Sequence, residues 1–205
     1  MSKCSLKLAV VCLTAVFLGA CATPDPIPAD RYFRVESSLP SVCCESFAAE
    51  FVITPMRADG LYGDRAVLLA NPTGTELTQQ RYDFWVDSPG RMLSYALLEA
   101  LREQGGMALV LERGLPEPEQ IVITGRVDRF ELVRNPEAGR YQPHVAIDFE
   151  VSSGVAGLLL AQRFEAVGPA IEYQDALAGK GVSEATSAVF TELMGAIGNI
   201  LTAGP

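Results

Sequence analysis

One histidine, one lysine in a glycine-rich turn and five cysteines are the residues of this sequence most able to do chemistry, and their spacing restricts what they can do. His144 stands in a stretch where Val145, Ile147, Phe149 and Val151 alternate with His144, Ala146, Asp148 and Glu150, so a strand there puts it on the polar face. Asp148, four residues on, is about 13 Å away at strand rise, too far for an acid-base pair. No serine or cysteine gains a base this way, and His144 reads as structural or solvent-exposed. The segment "LAGKGVSEA", Leu177–Ala185, has the composition of a phosphate-cradling loop. It fails the pattern: Gln174 stands where the first glycine belongs, Gly181 follows Lys180 where Ser or Thr is needed, and no apolar strand leads in. Lys180 is expected to be a solvated residue before the last helix. With the thiols and histidine far apart and the acids scattered, no metal-ligand set forms. The sequence thus predicts no catalytic residue, metal or other cofactor, and a protein that is not an enzyme.

Cys21 has a different chemistry. Lys3 and Lys7 precede an apolar run from Leu8 to Ala20 that ends in small residues at this cysteine. The run is short of the ~20 apolar residues of a membrane-spanning helix and has the length of a signal peptide. Leu18-Gly19-Ala20-Cys21 resembles the bacterial lipobox, in which lipid is joined to the cysteine sulfur and the signal is cut before it. Residues 1–20 are therefore expected to be a lipoprotein signal peptide, with covalent lipid on Cys21. Several acyl chains, each methylene contributing ~0.8 kcal/mol, make such anchoring stable. Ala22 follows, not the aspartate that favours the inner membrane, so the expected address is the periplasmic face of the outer membrane. Residues 21–30 join the lipidated cysteine to a tether, in which "ATPDPIPAD" holds three prolines and no apolar period.

Cutting the signal leaves 185 residues and shifts the net charge from −9 to −11, because the signal carries two lysines and no acid. That is enough chain for one domain with a real core. So acidic a surface disfavours nucleic acid and anionic lipid as partners. The mature chain keeps Cys43 and Cys44 in an oxidising compartment. Adjacent alpha carbons lie ~3.8 Å apart, below the usual disulfide span, so a bond between them would be strained and readily reduced. A redox pair, two small hydrophobes at a strand start, and intermolecular pairing all stay open.

Residues 31–205 form the expected domain. Strands are predicted at Tyr32–Glu36, Phe47–Thr54, Ala66–Ala70, Arg81–Val86, Met107–Glu112, Gln120–Val133, the alternating stretch around Val145–Val151, and Leu158–Val167. Within Gln120–Val133 the apolar phase shifts by one between Val127 and Phe130, which predicts a bulge near Asp128-Arg129. Ser88 as N-cap, Pro89 at the first position and Gly105-Gly106 beyond the end delimit a helix whose Leu93, Leu97, Ala100, Leu101 and Gln104 share a stripe. A second amphipathic helix is predicted from Ser183 to Thr202. The expected fold class is α+β: two layers, with a mixed, mostly antiparallel sheet and two amphipathic helices packed on it.

The lone tryptophan sits where the pattern does not ask for one. In "RYDFWVDSPG" Tyr82, Phe84 and Val86 share one strand face, leaving Trp85 on the other with Arg81, Asp83 and Asp87. As a structural residue it would lie under the first turn of the following helix. As a contact residue it would anchor a docking patch with Tyr82, Arg81 and Asp83.

Tyr82-x2-Trp85-x3-Pro89-x3-Leu93-x3-Leu97-x3-Leu101, then Ile123-x-Gly125-x-Val127-x2-Phe130, "LLLAQRFEA" and a final amphipathic helix together resemble the ABC-type transport auxiliary lipoprotein family, which includes the lipoprotein of the paraquat-inducible Pqi system. The likeness spans nearly the whole mature chain, and the order of individually weak motifs carries it. It implies a periplasmic, outer-membrane-anchored and non-enzymatic component of an ABC transport system for lipids or other hydrophobic compounds. Its implied partner is the system's MCE-domain protein, and through it the permease and ATPase. The adjacent cysteines and a longer polar stretch between Arg57 and Gln80 depart from the family pattern. The alternative function is a periplasmic lipid carrier with its own apolar pocket.

Overall fold

The computed structural model describes residues 27–37, 49–136, 139–173 and 177–203. The signal segment and Cys21, Cys43 and Cys44 lie outside the described residues. The strands are β1 (Arg31–Phe33), β2 (Glu50–Ile53), β3 (Arg57–Ala58), β4 (Ala66–Ala70), β5 (Leu77–Trp85), β6 (Met107–Val110), β7 (Ile121–Arg134), β8 (Tyr141–Ser153) and β9 (Gly157–Val167). Helix α1 covers Pro89–Glu103 and helix α2 covers Leu177–Ala203.

Strand β7 organises the sheet. Along one edge it pairs antiparallel with the whole of β8, which pairs antiparallel with β9. Along its other edge it takes three short strands in succession, all parallel: β2 at Ile121–Ile123, β3 at Arg126–Val127 and β4 at Leu132–Val133. Beyond β2 lies β6, and beyond β4 lie β5 and then β1. The register shift between Val127 and Arg129 is the bulge that the phase slip predicts, and there β7 passes from β3 to β4.

One expectation changes: the sheet curls into an open half-barrel, so the domain is not a plain two-layer stack. The sheet is mixed and, by paired residues, mostly antiparallel as expected: β4–β5 and the long β7–β8–β9 meander pair antiparallel, while β1–β5, β2–β6 and all three short strands on β7 pair parallel. Parallel neighbours need crossovers, and the parallel pair β2 and β6 is connected through β3, β4, β5 and α1.

Helix α1 starts as its punctuation predicts, with Pro89 at the first position and Ser88 extended. The Ser88 side chain, however, makes no capping bond; its amide donates to Asp87 Oδ1 at 2.8 Å. The helix stops where Gly105 turns left-handed at φ 79° and the Gly106 amide returns to the Leu101 carbonyl. Its predicted stripe is the buried one: Leu93, Leu97, Ala100 and Leu101 are wholly inaccessible. Gly90 is required where the helix meets Met56, because a Cβ there would lie 2.2 Å from the Met56 carbonyl oxygen. Helix α1 lies against β6, β3 and β7, while α2 lies against β8 and β9. Lys180 is exposed as expected, but inside α2 and not before it.

Candidate functional site

The tryptophan's surroundings reverse the face assigned from the sequence. Asp83 and Trp85 are the inward residues of β5, at 4% and 2% exposure, whereas Tyr82 and Phe84 are half-buried on the other face and Val86 is 41% exposed. The Trp85 ring packs on Phe130 with centroids 4.9 Å apart and meets Phe33 edge-on at 6.3 Å. Its amide donates to the Arg65 carbonyl, and its own carbonyl accepts from Arg65 Nε at 3.1 Å. The outer face holds a separate stack, Tyr32 on Phe84 at 5.7 Å, with the Arg65 guanidinium over Tyr32. The four residues proposed as one docking patch therefore split: Trp85 and Asp83 face the core, Tyr82 faces outward, and Arg81 is exposed. A core side chain offers no contact surface, so Trp85 is a packing residue in this fold.

A charged residue can share the core face because it is fully paired. Arg31 of β1 forks onto Asp83, Nε to Oδ1 at 2.6 Å and Nη2 to Oδ2 at 2.9 Å, and the Tyr173 hydroxyl also donates to Oδ2. Burial pushes the Asp83 carboxyl up, but the bonds from Arg31 and Tyr173, with the Arg31 charge, outweigh it and hold the pKa below the usual value. Tyr173 is itself held in place: Ile171 exchanges two backbone bonds with Tyr141, and the Tyr141 and Tyr173 rings lie 5.4 Å apart. Burial and the bond to Asp83 raise the Tyr173 pKa, so the hydroxyl stays a donor at neutral pH.

A second buried carboxylate repeats the scheme on β7. Glu131, 2% exposed, accepts from Arg129 Nε at 3.0 Å and Nη2 at 2.8 Å, and from the Tyr62 hydroxyl. Tyr62 comes from a 3-10 turn, Gly60–Gly63, in the polar stretch the sequence left unassigned. Burial, then the bond to Glu131, raises the Tyr62 pKa. His144 sits opposite Glu131 in the β7–β8 register. Its nearby charges come from neighbouring strands, Arg129, Glu131 and Glu165, and not from Asp148 on its own strand. Burial first, and then the Arg129 charge, lower the His144 pKa against the pull of the two acids, which favours neutral imidazole.

Arginine and tyrosine donors occupy both oxygens of each carboxylate. Among the described residues no group of three or more His, Cys, Asp or Glu side chains could hold a metal ion. Among the described residues an open groove of about 1060 Å³ lies between β1 and α2, bordered by Tyr32, Arg34, Lys180, Ser183 and Glu184. It mixes charges of both signs. The sequence argument missed Arg31, Tyr173, Tyr62, Arg129 and Glu131. The one local signal was Arg129-x-Glu131, two residues apart on one face beyond a bulge.

No protein-family model matches the sequence, and no curated protein matches it significantly. Solved structures do share the fold. Protein XCC0632 from Xanthomonas campestris, of the DUF330 family, overlays with a TM-score of 0.69 at 14% identity, over 86% of this chain and 98% of that one. An uncharacterized protein overlays at 0.58 and 10% identity, over 85% and 99%. A candidate lipoprotein from Caulobacter crescentus CB15 is more distant, at 0.45 and 14% identity over 74% and 93%. At their identities the first two likenesses show the fold alone.

Proposed function

We propose that this protein is a lipid-anchored periplasmic adaptor at the outer membrane, the non-enzymatic docking component of an ABC-type transport system that moves lipids or other hydrophobic compounds. The lipobox at Cys21 and the motif order from Tyr82 to the last helix support this assignment. The structural observation that favours docking over carriage is the filled interior beneath α2. Val189, Phe190, Leu193, Met194 and Ile197 are all at most 2% exposed, and Phe190 packs edge-on to Phe149. The gap left between this helix and the sheet, lined by Ile121, Val151, Leu159, Ile197, Ile200 and Leu201, has no room even for a water molecule. Ligand pockets run from ~300 to ~1,000 Å³, so a carrier would have to prise helix from sheet. No helix among the described residues is long and apolar enough to cross a membrane, which fits attachment by lipid.

The test is co-purification of the full-length lipidated protein with the MCE-domain protein of the same organism, from detergent-solubilised envelopes. Binding in the micromolar range or tighter, with no stoichiometric lipid in the purified domain, is the expected result. Bound lipid without partner binding would favour the carrier. Fatty-acid labelling that disappears in Cys21→Ser checks the anchor separately.

A further inference from the structure

Of the eleven exposed large apolar side chains among the described residues, Met107, Leu115, Val155, Leu158 and Leu201, at 66%, 92%, 75%, 65% and 37% exposure, belong to the end of the sheet where β7 begins, against Ile27 and Val167 at the other end. The pairings put those five where β7 begins. Met107 is level with Glu50, one step before the Phe51–Ile121 pair; Ser153 faces both Ile121 and Gly157; and α2 ends against Ile121 and Leu159. The loop carrying Leu115 closes on the β8–β9 hairpin, with the Val155 amide bonded to the Pro118 carbonyl and Gly154 pressed so close to Pro118 that a Cβ would lie 2.8 Å from its Cα. Exposed Glu103, Glu117 and Glu119 lie at this end, against Arg113 and Arg102, the latter bonded to the Ala108 carbonyl.

The chain that precedes β1 leaves from the opposite end. Arg31 pairs with Asp83, β5 runs antiparallel to β4, and Ala70 lies level with both Leu77 and Val133, so Pro28 and Ala29 pass Gln79 and Gln80 beside the end of β7. At ~3.3 Å per residue, the 14 residues of β7 put roughly 45 Å between the two ends. The chain toward any anchor before Ile27 thus leaves from the end away from these apolar side chains, and the net acidic border opposes an anionic lipid surface.

We infer that this apolar end is the docking surface for the MCE-domain protein, which meets it with an apolar recess rimmed by lysine or arginine. The assignment rests on the docking function proposed above. Leu115, Val155 and Leu158 supply the buried contacts, and the glutamates supply orientation and salt dependence.

Binding of the purified MCE-domain protein to the full-length lipidated protein in detergent tests it. The comparison sets the combined Leu115→Asp, Val155→Asp and Leu158→Asp changes against Ile27→Asp with Val167→Asp at the other end. All five sites are exposed, and unchanged melting and Trp85 emission verify the fold. The expected result is a loss of affinity of about tenfold or more for the first variant and less than about twofold for the second, with wild-type binding weakening as salt rises. Wild-type binding that the first variant retains overturns the surface assignment and leaves the docking function standing. Absence of wild-type binding overturns both. If the first variant instead abolishes self-association, or adhesion to phosphatidylethanolamine and phosphatidylglycerol vesicles, while leaving MCE binding intact, the surface belongs to a second copy or to a membrane.

Discussion

Asp83 and Glu131 are two buried carboxylates solved with the same parts, an arginine fork and a tyrosine hydroxyl, but they hold different things together. The fork on Glu131 comes from Arg129, two residues away on the same strand, so it joins nothing beyond β7; only Tyr62 reaches in from elsewhere, fastening the 3-10 turn to the sheet. At Asp83 both partners are distant, Arg31 52 residues before and Tyr173 90 residues after. That cluster clamps the first strand, the fifth strand and the β9–α2 connection at one point beside the Trp85 ring. A buried ion pair adds little net stability, because desolvation offsets the attraction. Its position in the chain decides what loosens when it breaks.

The largest effect is expected behind the Asp83 clamp. Trp85→Ala should cost about 3–5 kcal/mol in urea unfolding, since the cavity would open between Phe33 and Phe130. Next comes the contrast between the forks. Arg31→Met and Arg129→Met each strand a buried carboxylate on one tyrosine, at about 2–3 kcal/mol, below the fully buried case because both arginines reach solvent. Only Arg31→Met should free β1, seen as faster hydrogen exchange of the Val86 amide, which bonds to the Phe33 carbonyl, and as red-shifted Trp85 emission before global unfolding. Equal exchange in both variants would remove the distinction between the clusters.

The pH dependence has a definite sign. The Asp83 pKa is lower folded than its ordinary 3.8, so its contribution is complete above that value and is lost as pH falls below it through the folded pKa. Asp83→Asn should flatten that acid limb, measured by unfolding from about pH 6 to about pH 2. Smaller again, Tyr173→Phe and Tyr62→Phe each remove one bond to a charged acceptor, about 1.5 kcal/mol. Tyr173→Phe alone should speed proteolysis between β9 and α2. Least of all, Arg126→Ala breaks the exposed pair with Asp148 and should change stability by no more than about 0.5 kcal/mol.

The elements legible in the sequence are those whose signals are local. The α1 ends and stripe, the alternation of β8 and the bulge after Val127 depend on residues within a turn or a pleat of each other, and each stands where it was expected. The face of β5 was not legible. Period two correctly separates Tyr82 and Phe84 from Asp83 and Trp85, but which set faces inward depends on whether the aspartate finds partners, and those lie at Arg31 and Tyr173. Strand β3 and the 3-10 turn were missed for a related reason: they exist only because β7 and Glu131 receive them.

By itself the sequence determined the acidic charge, the two helices and the long strands, because these follow from composition and short-range periodicity. Tertiary structure alone decided that a charged face becomes core, that a long strand gathers three parallel neighbours into a half-barrel, and that Met107, Leu115, Val155, Leu158 and Leu201 share the end where β7 begins. Each of these depends on side chains far apart in sequence meeting at one place, where desolvation and pairing are settled together.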